Sequence, residues 1–338
     1  MIREAISGLI QCRNLTEEEM TQVMEEIMTG GASDAQIGAF LTALRLKGET
    51  VEEISGAARV MRSKSVKVNP GPEPVVDTCG TGGDEAHTFN ISTTAAFVTS
   101  AAGVTVAKHG NKAVSSKSGS ADVLQALGVN IQAEVTRVEE CLQKVGIGFL
   151  FAPLMHGAMK YAIGPRREIG IRTIFNILGP LTNPAGAKNQ VVGVYSAALV
   201  EPIARVLGKL GSRHVLVVHG SDGLDEITIT GPTHAASFHE GKLETYNINP
   251  KDYGIKLWLA DEIRGGDPAH NAEILRGVLA GKKGAARDVT LLNAAAAIMT
   301  GGKAATLHDG VKLAAEAIDS GAAMDKLEKL VEFCGNGS

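Results

Sequence analysis

The residues best suited to chemistry in this chain lie in two loops that each follow a predicted strand. Residues 75–94 read VVDTCGTGGDEAHTFNISTT, in which a short apolar run leads into three glycines and then into Asn, Ser and Thr. Glycines allow the backbone to approach a ligand closely, and the N–H groups at the start of a helix attract anions. This order of strand, glycine loop and polar helix start predicts a phosphate-binding turn.

The tripeptide Thr-Gly-Gly at 81–83 is informative only because of its context. The same tripeptide occurs at 29–31 and at 300–302, where it follows a helical pattern and glycine is an ordinary C-terminal stop. The copy at 81–83 instead follows a strand and leads into a polar helix start. We therefore assign phosphate binding to this copy alone.

The second loop directly follows a predicted strand at 104–107. It begins with Lys-His-Gly-Asn-Lys at 108–112 and continues with Ser-Ser-Lys-Ser-Gly-Ser at 115–120. Taken alone, it could be a mobile, solvent-exposed loop, because Ser and Lys are common in such places. Beside the glycine loop, a second phosphate-binding loop is the better interpretation.

A third candidate is the acidic pair Asp225 and Glu226, which follows a predicted strand at 215–218. Adjacent carboxylates at a strand end suit Mg²⁺, which takes one or two protein carboxylates and completes its shell with phosphate oxygens and water. An acidic turn facing solvent is the alternative interpretation. In a chain with two phosphate loops, the two interpretations are about equally supported.

Other motifs exclude several kinds of site. The nine histidines form no HxxxH or HxH pair, and no GxSxG elbow surrounds Ser92 or Ser116 as a nucleophile. No GxGxxG motif supports a dinucleotide fold. The four cysteines are scattered without a CxxC pair, so neither a disulfide framework nor a zinc site is expected, and a reducing cytoplasm fits best.

Composition indicates a soluble globular protein with one large domain or two. The chain has 338 residues, of which 44% are hydrophobic and 21% charged. With 37 acidic and 33 basic side chains its net charge is −4, which argues against nucleic acid as a main partner. Neither a signal peptide nor an apolar run of about 18 residues or more is found, so we expect no membrane span.

The elements that must position these loops divide into a helical and an alternating part. Three capping boxes, at Thr16, Ser33 and Thr50, predict that the first 65 residues are helical. The proline-rich segment 69–74 predicts a hinge. Strands are then predicted at 104–107, 147–151, 191–195 and 215–218, with helices at 121–127, 138–145 and 200–210, an antiparallel section at 227–230 and 236–239, and further helices at 285–299 and 311–333.

This pattern predicts an α/β fold with a mostly parallel central sheet flanked by helices, so ligands are expected at the carboxyl ends of the strands. We expect a small helical domain at 1–70. The later segment at about 165–185 is expected to belong to the same domain, which would make it discontinuous in sequence. A large α/β domain that binds the phosphorylated ligand is expected at 74–338.

The motifs GTGGD, FNIST, KHGNKAVSSKSGSADVLQALG and ILGPLTNP occur in the order and spacing typical of anthranilate phosphoribosyltransferases. The chain resembles this family over nearly its whole length, in the stand-alone form without a glutamine amidotransferase domain. The resemblance implies a pentosyltransferase of tryptophan biosynthesis that is a cytoplasmic homodimer. Such an enzyme transfers the phosphoribosyl group of 5-phosphoribosyl 1-diphosphate (PRPP) to the amino group of anthranilate, releases pyrophosphate and requires Mg²⁺.

The resemblance also implies the residues of the site. PRPP would be bound by Gly80, Gly83, Asp84, Thr88, Asn90, Ile91, Ser92, Thr93, Lys108, His109, Gly110, Asn111, Lys112, Ser116 and Ser120. Anthranilate would be guided and held by Gly80, His109, Asn111, His156, Arg166 and Gly179. Mg²⁺ would be served by Ser92, Asp225 and Glu226, and the catalytic residues would be Lys108, Asn111 and Arg166.

Two other functions are compatible with this architecture. A pyrimidine-nucleoside phosphorylase would use inorganic phosphate on a nucleoside, but the acidic pair and the KHGN loop count against it. A non-catalytic relative that binds nucleic acid should be basic, whereas this chain is slightly acidic.

Overall fold

The computed structural model describes residues 1–72, 74–113 and 117–335, and within these ranges four helices precede an alternating α/β region. The helices are α1 (Ile2–Leu9), α2 (Glu17–Met28), α3 (Asp34–Lys47), α4 (Val51–Lys64), α5 (Ile91–Ala101), α6 (Ser120–Ala126), α7 (Val135–Lys144), α8 (Ala152–Met155), α9 (Lys160–Ile169), α10 (Phe175–Leu178), α11 (Val200–Lys209), α12 (Pro268–Leu279), α13 (Ala285–Thr300), α14 (Leu307–Asp319) and α15 (Ala322–Cys334). The strands are β1 (Val75–Gly80), β2 (Thr105–Gly110), β3 (Ile147–Phe151), β4 (Asn189–Gly193), β5 (His214–Gly220), β6 (Thr233–His239) and β7 (Lys242–Ile248).

The strands form one seven-stranded sheet in the order β3-β2-β1-β4-β5-β6-β7. The first five in this order are parallel, while β6 and β7 are antiparallel additions at one edge. The parallel strands are almost wholly buried, as their continuous apolar runs require for a sheet covered by helices on both faces. The predicted fold class is confirmed.

The sheet order reverses direction between β1 and β4. From β1 the chain proceeds to β2 and β3 on one side, whereas β4 and β5 lie on the other. In α/β sheets such a switch point leaves a crevice outside the carboxyl ends of the two strands, and ligands bind there. The glycine loop that follows β1 opens into this crevice.

The N-terminal helices start where the sequence predicts. Thr16, Ser33 and Thr50 each accept a hydrogen bond from the third helical N–H and form complete capping boxes. Apolar residues of α1 to α4 share one core cluster with residues of the later segment 162–181. Nε of Arg62 in α4 donates a 2.6 Å hydrogen bond to the carbonyl of Leu181. These contacts agree with a helical domain that the later segment rejoins, although the domain boundaries stay a prediction.

Two predicted elements are wrong. Residues 227–230 form a loop, and the antiparallel pair is β6 and β7 instead. The loop satisfies its backbone with side chains, since Oδ1 of Asn293 accepts from the N–H of Ile227 at 3.0 Å. The helix predicted at 311–333 is two helices, α14 and α15, because Gly321 adopts a left-handed conformation with φ of 81° between them.

One disulfide joins Cys141 in α7 to Cys334 in α15. The expectation that the cysteines are unpaired is therefore wrong for this pair. The two residues are separated by 193 positions, so their spacing carries no local signal. Over the described ranges, the helices are all too short or too polar to cross a membrane.

Candidate active site

Asp225 lies against the carboxyl ends of the two strands at the switch point. Gly80 ends β1 and pairs with Gly193, which ends β4. A Cβ atom on Gly80 would lie 2.3 Å from Oδ2 of Asp225, and one on Gly193 would lie 1.4 Å from its carbonyl oxygen. Glycine is therefore required at both strand ends because the acidic loop packs directly on their backbone.

Hydrogen bonds from backbone N–H groups to carboxylates join the glycine loop to the acidic loop at Asp225. The N–H of Gly82 donates a 2.7 Å hydrogen bond to Oδ2 of Asp225, and the N–H of Asp225 donates to Oδ2 of Asp84 at 3.4 Å. Gly82 and Gly83 have positive φ values of 66° and 76°, which glycine adopts without strain.

Two residues of the same loop also have positive φ values, although they are not glycines. Glu85 and His87 have φ values of 60° and 54°. Such conformations cost free energy in non-glycine residues and concentrate at ligand-binding sites. The loop is therefore held in a specific shape, and it is not a relaxed surface turn.

The start of α5 points at the second acidic side chain. The N–H of Ser92 donates a 3.1 Å hydrogen bond to Oε1 of Glu226. Asn90 stands at the N-cap position, and its side chain joins two other elements instead of capping the helix: its Nδ2 donates to the carbonyl of Ser118 at 3.1 Å, and its Oδ1 accepts from Asn271 at 3.0 Å. Asn90 thus connects the two predicted phosphate loops.

Lys108 places a positive charge between these loops. It is 3% exposed, and its Nζ donates to the carbonyl of Thr78 and, at 3.3 Å, to Oγ of Ser92. Thr93, which follows Ser92 in α5, is 1% exposed, and its hydroxyl has no hydrogen-bond partner among the described residues. A buried ammonium and an unpartnered buried hydroxyl are costly unless a ligand completes their interactions.

The second loop is anchored at both ends. The carbonyl of Asn111 accepts from the N–H of Ala121 at 3.1 Å and from Oγ of Ser120 at 3.3 Å. Oδ2 of Asp122 accepts from the N–H groups of Ala113 and Gly119, each at 2.9 Å. These bonds hold the two ends of the loop close together.

The other predicted residues of this loop differ in their surroundings. Asn111 and Lys112 are exposed. A Cβ on Gly110 would lie 2.1 Å from Oγ of Ser120, so glycine is needed there for packing. Ser116 lies outside the described residues.

His109 and His156 form a buried pair at the ends of β2 and α8. Their Nε2 atoms lie 3.2 Å apart, and the two side chains belong to residues only 6% and 7% exposed. Burial, together with the charge of His156, lowers the pKa of His109 to about 3. Burial also lowers the pKa of His156 to about 4, so both imidazoles are neutral at pH 7.

His109 is oriented by a residue that sequence reasoning missed. Oδ1 of Asp77, inside β1, accepts a 3.1 Å hydrogen bond from the backbone N–H of His109. Asp77 is fully buried, and burial raises the pKa of its carboxyl group. A lone Asp within an apolar strand was the only available signal for this support.

Arg166 and Arg172 lie on the segment that joins the N-terminal helices to the crevice. The guanidinium of Arg166 lies 5.0 Å from the ring centroid of Phe175, and burial lowers its pKa. Arg172 reaches the glycine loop, where it donates to the carbonyl of Gly83 and pairs with Glu85 at 3.3 Å. It was also missed, because nothing in its local pattern distinguishes it from neighbouring surface arginines.

The negative charges of the acidic cluster are not balanced by the residues around it. Burial and the nearby charges of Asp84 and Glu226 raise the pKa of Asp225 well above its ordinary range. Burial also raises the pKa of Glu226 to about 7; Asp84 adds to this shift, while the positive charge of Lys108 opposes it. Buried carboxylates that repel one another are stabilised by a cation.

A cation here would depend on more than protein ligands. Among the described residues, no group of three His, Cys, Asp or Glu side chains is arranged to hold a metal ion. Two carboxylates beside a phosphate-binding loop fit Mg²⁺ nevertheless, because Mg²⁺ keeps several waters and shares its shell with substrate phosphates.

Comparison with known proteins identifies the family. Residues 2–65 match the helical bundle domain of a glycosyl transferase family, and residues 72–324 match its α/β domain. The anthranilate phosphoribosyltransferase of Geobacter sulfurreducens is 56% identical over 345 residues, covering 98% of this chain and 99% of that protein. The chain belongs to the anthranilate phosphoribosyltransferase family.

Solved anthranilate phosphoribosyltransferases share the whole fold. The protein from Thermus thermophilus matches with a TM-score of 0.93 at 42% identity, covering 98% of this chain and 99% of that one. The Saccharomyces cerevisiae protein, in complex with PRPP and Mg, matches with a TM-score of 0.89 at 29% identity, covering 98% and 97%. The resemblance seen in the motifs, and with it the assignment as a pentosyltransferase, is confirmed.

The anthranilate phosphoribosyltransferase fold brings eight of the predicted site residues together at one edge of the sheet. The residues linked there by hydrogen bonds or close packing are Gly80, Gly83, Asp84, Asn90, Ser92, Lys108, Asp225 and Glu226. Thr88 lies at the end of the glycine loop, where it forms a β-bridge with Arg264. The side chain of Ile91 packs into the core, so only its backbone is available to a ligand. The roles of individual residues stay predictions.

Proposed function

We propose that this chain transfers the phosphoribosyl group of PRPP to the amino group of anthranilate and releases pyrophosphate. The observation that carries the proposal is the meeting of two phosphate-type loops and an adjacent acidic pair at the switch point of the sheet. Family membership supports the same reaction. The proposal includes the residue roles given below.

The diphosphate and ribose of PRPP would lie against the two loops. Backbone N–H groups at the start of α5 and the hydroxyls of Ser92 and Thr93 supply neutral donors. Lys108 supplies a buried positive charge, whose interaction with a departing diphosphate is strengthened by its low exposure. Asn90 would hold the loops at a constant separation, because it ends the glycine loop and its Nδ2 bonds to Ser118 of the second loop.

Mg²⁺ would be held by Asp225 and Glu226, with Ser92 beside them. When bound, it would neutralise negative charge on the diphosphate as the bond to the ribose breaks. The chain's own contribution is to keep the two carboxylates in place. Backbone N–H groups of Gly82 and Ser92 each bond one of them, so neither is free to turn away.

Anthranilate would lie between the histidine pair and Arg166, near Asn111 and Gly179. The guanidinium of Arg166 can pair with the carboxylate of the acceptor, and its contact with Phe175 restricts its orientation. The neutral His109 and His156 can exchange hydrogen bonds with the amino and carboxylate groups without adding charge. An aromatic amine is largely unprotonated at pH 7, so the acceptor needs orientation more than a strong base.

Closure of the helical part over the α/β part would exclude water and limit hydrolysis of the activated sugar. We also propose, from the family, that the active form is a homodimer in the cytoplasm. Sedimentation of the purified chain, combined with an active-site titration, would test whether the active form is a homodimer.

The direct test follows the fluorescence of anthranilate with PRPP and Mg²⁺. We expect loss of signal that depends on the protein, matches pyrophosphate release and is abolished by EDTA. Uridine with inorganic phosphate serves as the control for phosphorylase activity and should give no product. Folded protein that leaves anthranilate unchanged would contradict the proposed acceptor.

Arg166→Ala tests the acceptor site separately. This variant should raise the KM for anthranilate more than the KM for PRPP, because the lost guanidinium pairs with the acceptor. Arg167→Ala, next to it on the exposed side of α9, is the matched control. A larger effect on PRPP would place Arg166 elsewhere.

A further inference from the structure

We propose that Asn271 is a positioning residue of the PRPP site, which acts through Asn90 on both phosphate loops. The inference rests on the proposed function. Asn271 lies near the start of α12, 181 residues after Asn90, and it is only 1% exposed. Its Nδ2 donates a 3.0 Å hydrogen bond to Oδ1 of Asn90. A buried side chain from a distant helix thus reaches the residue that ends the glycine loop.

Backbone groups fix the orientation of both amide side chains. The N–H of Gly266 can only donate, and it bonds Oδ1 of Asn271 at 2.8 Å. Nδ2 of Asn271 therefore faces Asn90 and donates to its Oδ1. Nδ2 of Asn90 is then directed at the carbonyl of Ser118, 3.1 Å away, which can only accept. Turning either amide over would break two of its hydrogen bonds.

The far end of this series of bonds is the second phosphate loop. Ser118 is 7% exposed and lies two positions before Ser120, where α6 begins. Its Oγ donates to Oδ1 of Asn90 at 3.3 Å, so Asn90 and Ser118 bond each other twice. Without Asn271, the side chain of Asn90 would join the two loops to each other but no longer to α12.

The segment that leads to Asn271 also supports the backbone of the glycine loop. The N–H of Gly265 donates to the carbonyl of His87 at 2.9 Å, and the N–H of Phe89 donates to the carbonyl of Ile263 at 3.2 Å. A Cβ atom on Gly265 would lie only 2.6 Å from the backbone nitrogen of Phe89. The two segments are therefore in close contact, and Asn271 extends this support to the side chain of Asn90.

The burial of Asn271 distinguishes positioning from direct binding. Its Oδ1 and Nδ2 both bond protein groups, and almost none of its surface is open to a ligand. Loss of the side chain should therefore act on PRPP through the placement of Asn90. Anthranilate, which is assigned to the histidine pair and Arg166, should be affected less.

The test is calorimetric titration with PRPP in saturating MgCl₂ and without anthranilate. Asn271→Ala should weaken PRPP binding at least about fivefold, the contribution of one buried hydrogen bond. Glu273→Gln, at an exposed position of the same helix, is the matched control and should bind normally. In steady-state assays of Asn271→Ala, the KM for PRPP should rise more than the KM for anthranilate. Unchanged PRPP affinity, or an equal rise of both KM values, would overturn the proposal.

A double-mutant cycle tests whether Asn271 acts through Asn90. In an Asn90→Ala background, Asn271→Ala should change PRPP affinity by less than about twofold, because the acceptor of its Nδ2 is gone. A general weakening of the fold would not depend on Asn90. The same loss of affinity in both backgrounds would therefore overturn the proposal.

A measurement on the unaltered protein covers the case of misfolded variants. In hydrogen-exchange mass spectrometry, PRPP should slow exchange of the N–H groups of Gly265 and Gly266 together with those of the glycine loop. Protection of the glycine loop alone would overturn the proposal. Wild-type protein that binds no PRPP would refute the proposed function and this inference with it, whereas failure of the inference alone leaves PRPP binding intact.

Discussion

The backbone N–H of Gly82 donates a 2.7 Å hydrogen bond to Oδ2 of Asp225, which is 143 residues later in the chain. A matching bond of 3.1 Å runs from the N–H of Ser92 to Oε1 of Glu226. Two adjacent carboxylates therefore hold the start and the end of one phosphate loop. The shape of the loop and the placement of the acidic pair depend on each other.

The double variant Asp225→Asn, Glu226→Gln should lower turnover mainly at limiting Mg²⁺, by roughly tenfold or more. Amide side chains match the carboxylates in size and still accept hydrogen bonds, but they lack the negative charge that binds a cation. Initial rates over a range of Mg²⁺ concentrations measure the effect. Asp261→Asn, on an exposed side chain, is the control, and an unchanged Mg²⁺ dependence in the double variant would refute the assigned role.

Gly193→Ala should abolish most activity. Its Cβ would lie 1.4 Å from the carbonyl oxygen of Asp225, so the acidic loop would have to move. Turnover and Mg²⁺ dependence should both change, whereas Gly164→Ala, which meets no atom within 4 Å, should be nearly neutral. Wild-type kinetics in a folded Gly193→Ala protein would contradict the packing described for the switch point.

Arg172→Ala should raise the KM for PRPP several-fold with a smaller effect on anthranilate. The guanidinium bonds the carbonyl of Gly83 and the carboxylate of Glu85, both in the glycine loop. Arg172→Lys should recover part of the loss, because one donor remains. Steady-state kinetics with each substrate varied in turn would distinguish this from the opposite pattern expected for Arg166.

Acid should destabilise the protein through the histidine pair. The folded pKa values of His109 and His156, about 3 and 4, lie below the ordinary value of 6.5, so the unfolded chain binds more protons as the pH falls through this window. Each histidine then removes up to about 1.4 kcal/mol of unfolding free energy per pH unit below 6.5. Above that value the imidazoles are neutral in both the folded and the unfolded chain, so the pair causes no loss of stability.

Urea unfolding between pH 8 and pH 5 measures this loss. Raised carboxylate pKa values at Asp225 and Glu226 act in the opposite direction, so the informative quantity is the difference between wild type and His156→Gln. We expect the variant to have a smaller loss of stability on acidification. Parallel pH profiles for the two proteins would contradict the neutral, buried state of the pair.

Removal of the disulfide should lower stability without changing substrate specificity. The bond closes 193 residues between α7 and α15, and the loop-closure model sets an upper limit of about 5 kcal/mol on its contribution. Cys334→Ala, or dithiothreitol, should lower the melting temperature, with Cys12→Ser as the thiol control. Equal melting temperatures in oxidised and reduced protein would contradict a stabilising role.

Local patterns were sufficient wherever neighbouring residues decide the conformation. The capping boxes at Thr16, Ser33 and Thr50 formed as predicted, because each joins groups three residues apart. The copy of Thr-Gly-Gly at 81–83 was separated from its two counterparts by flanking residues alone. The division at Gly321 was missed because apolar residues continue on both sides of it.

Contacts between distant segments cannot be predicted from local sequence patterns. The sequence leaves the acidic pair ambiguous, whereas the fold packs Asp225 on Gly80 and Gly193. Residues 227–230 have the pattern of a strand, but Asn293 bonds the backbone of Ile227 and they form a loop. The Nε2 contact of His109 with His156, the reach of Arg172 and the Cys141–Cys334 bond likewise join positions 47 to 193 residues apart. Periodicity and capping act within a few residues, whereas these contacts arise only after parallel strands bring their carboxyl ends to one edge of the sheet.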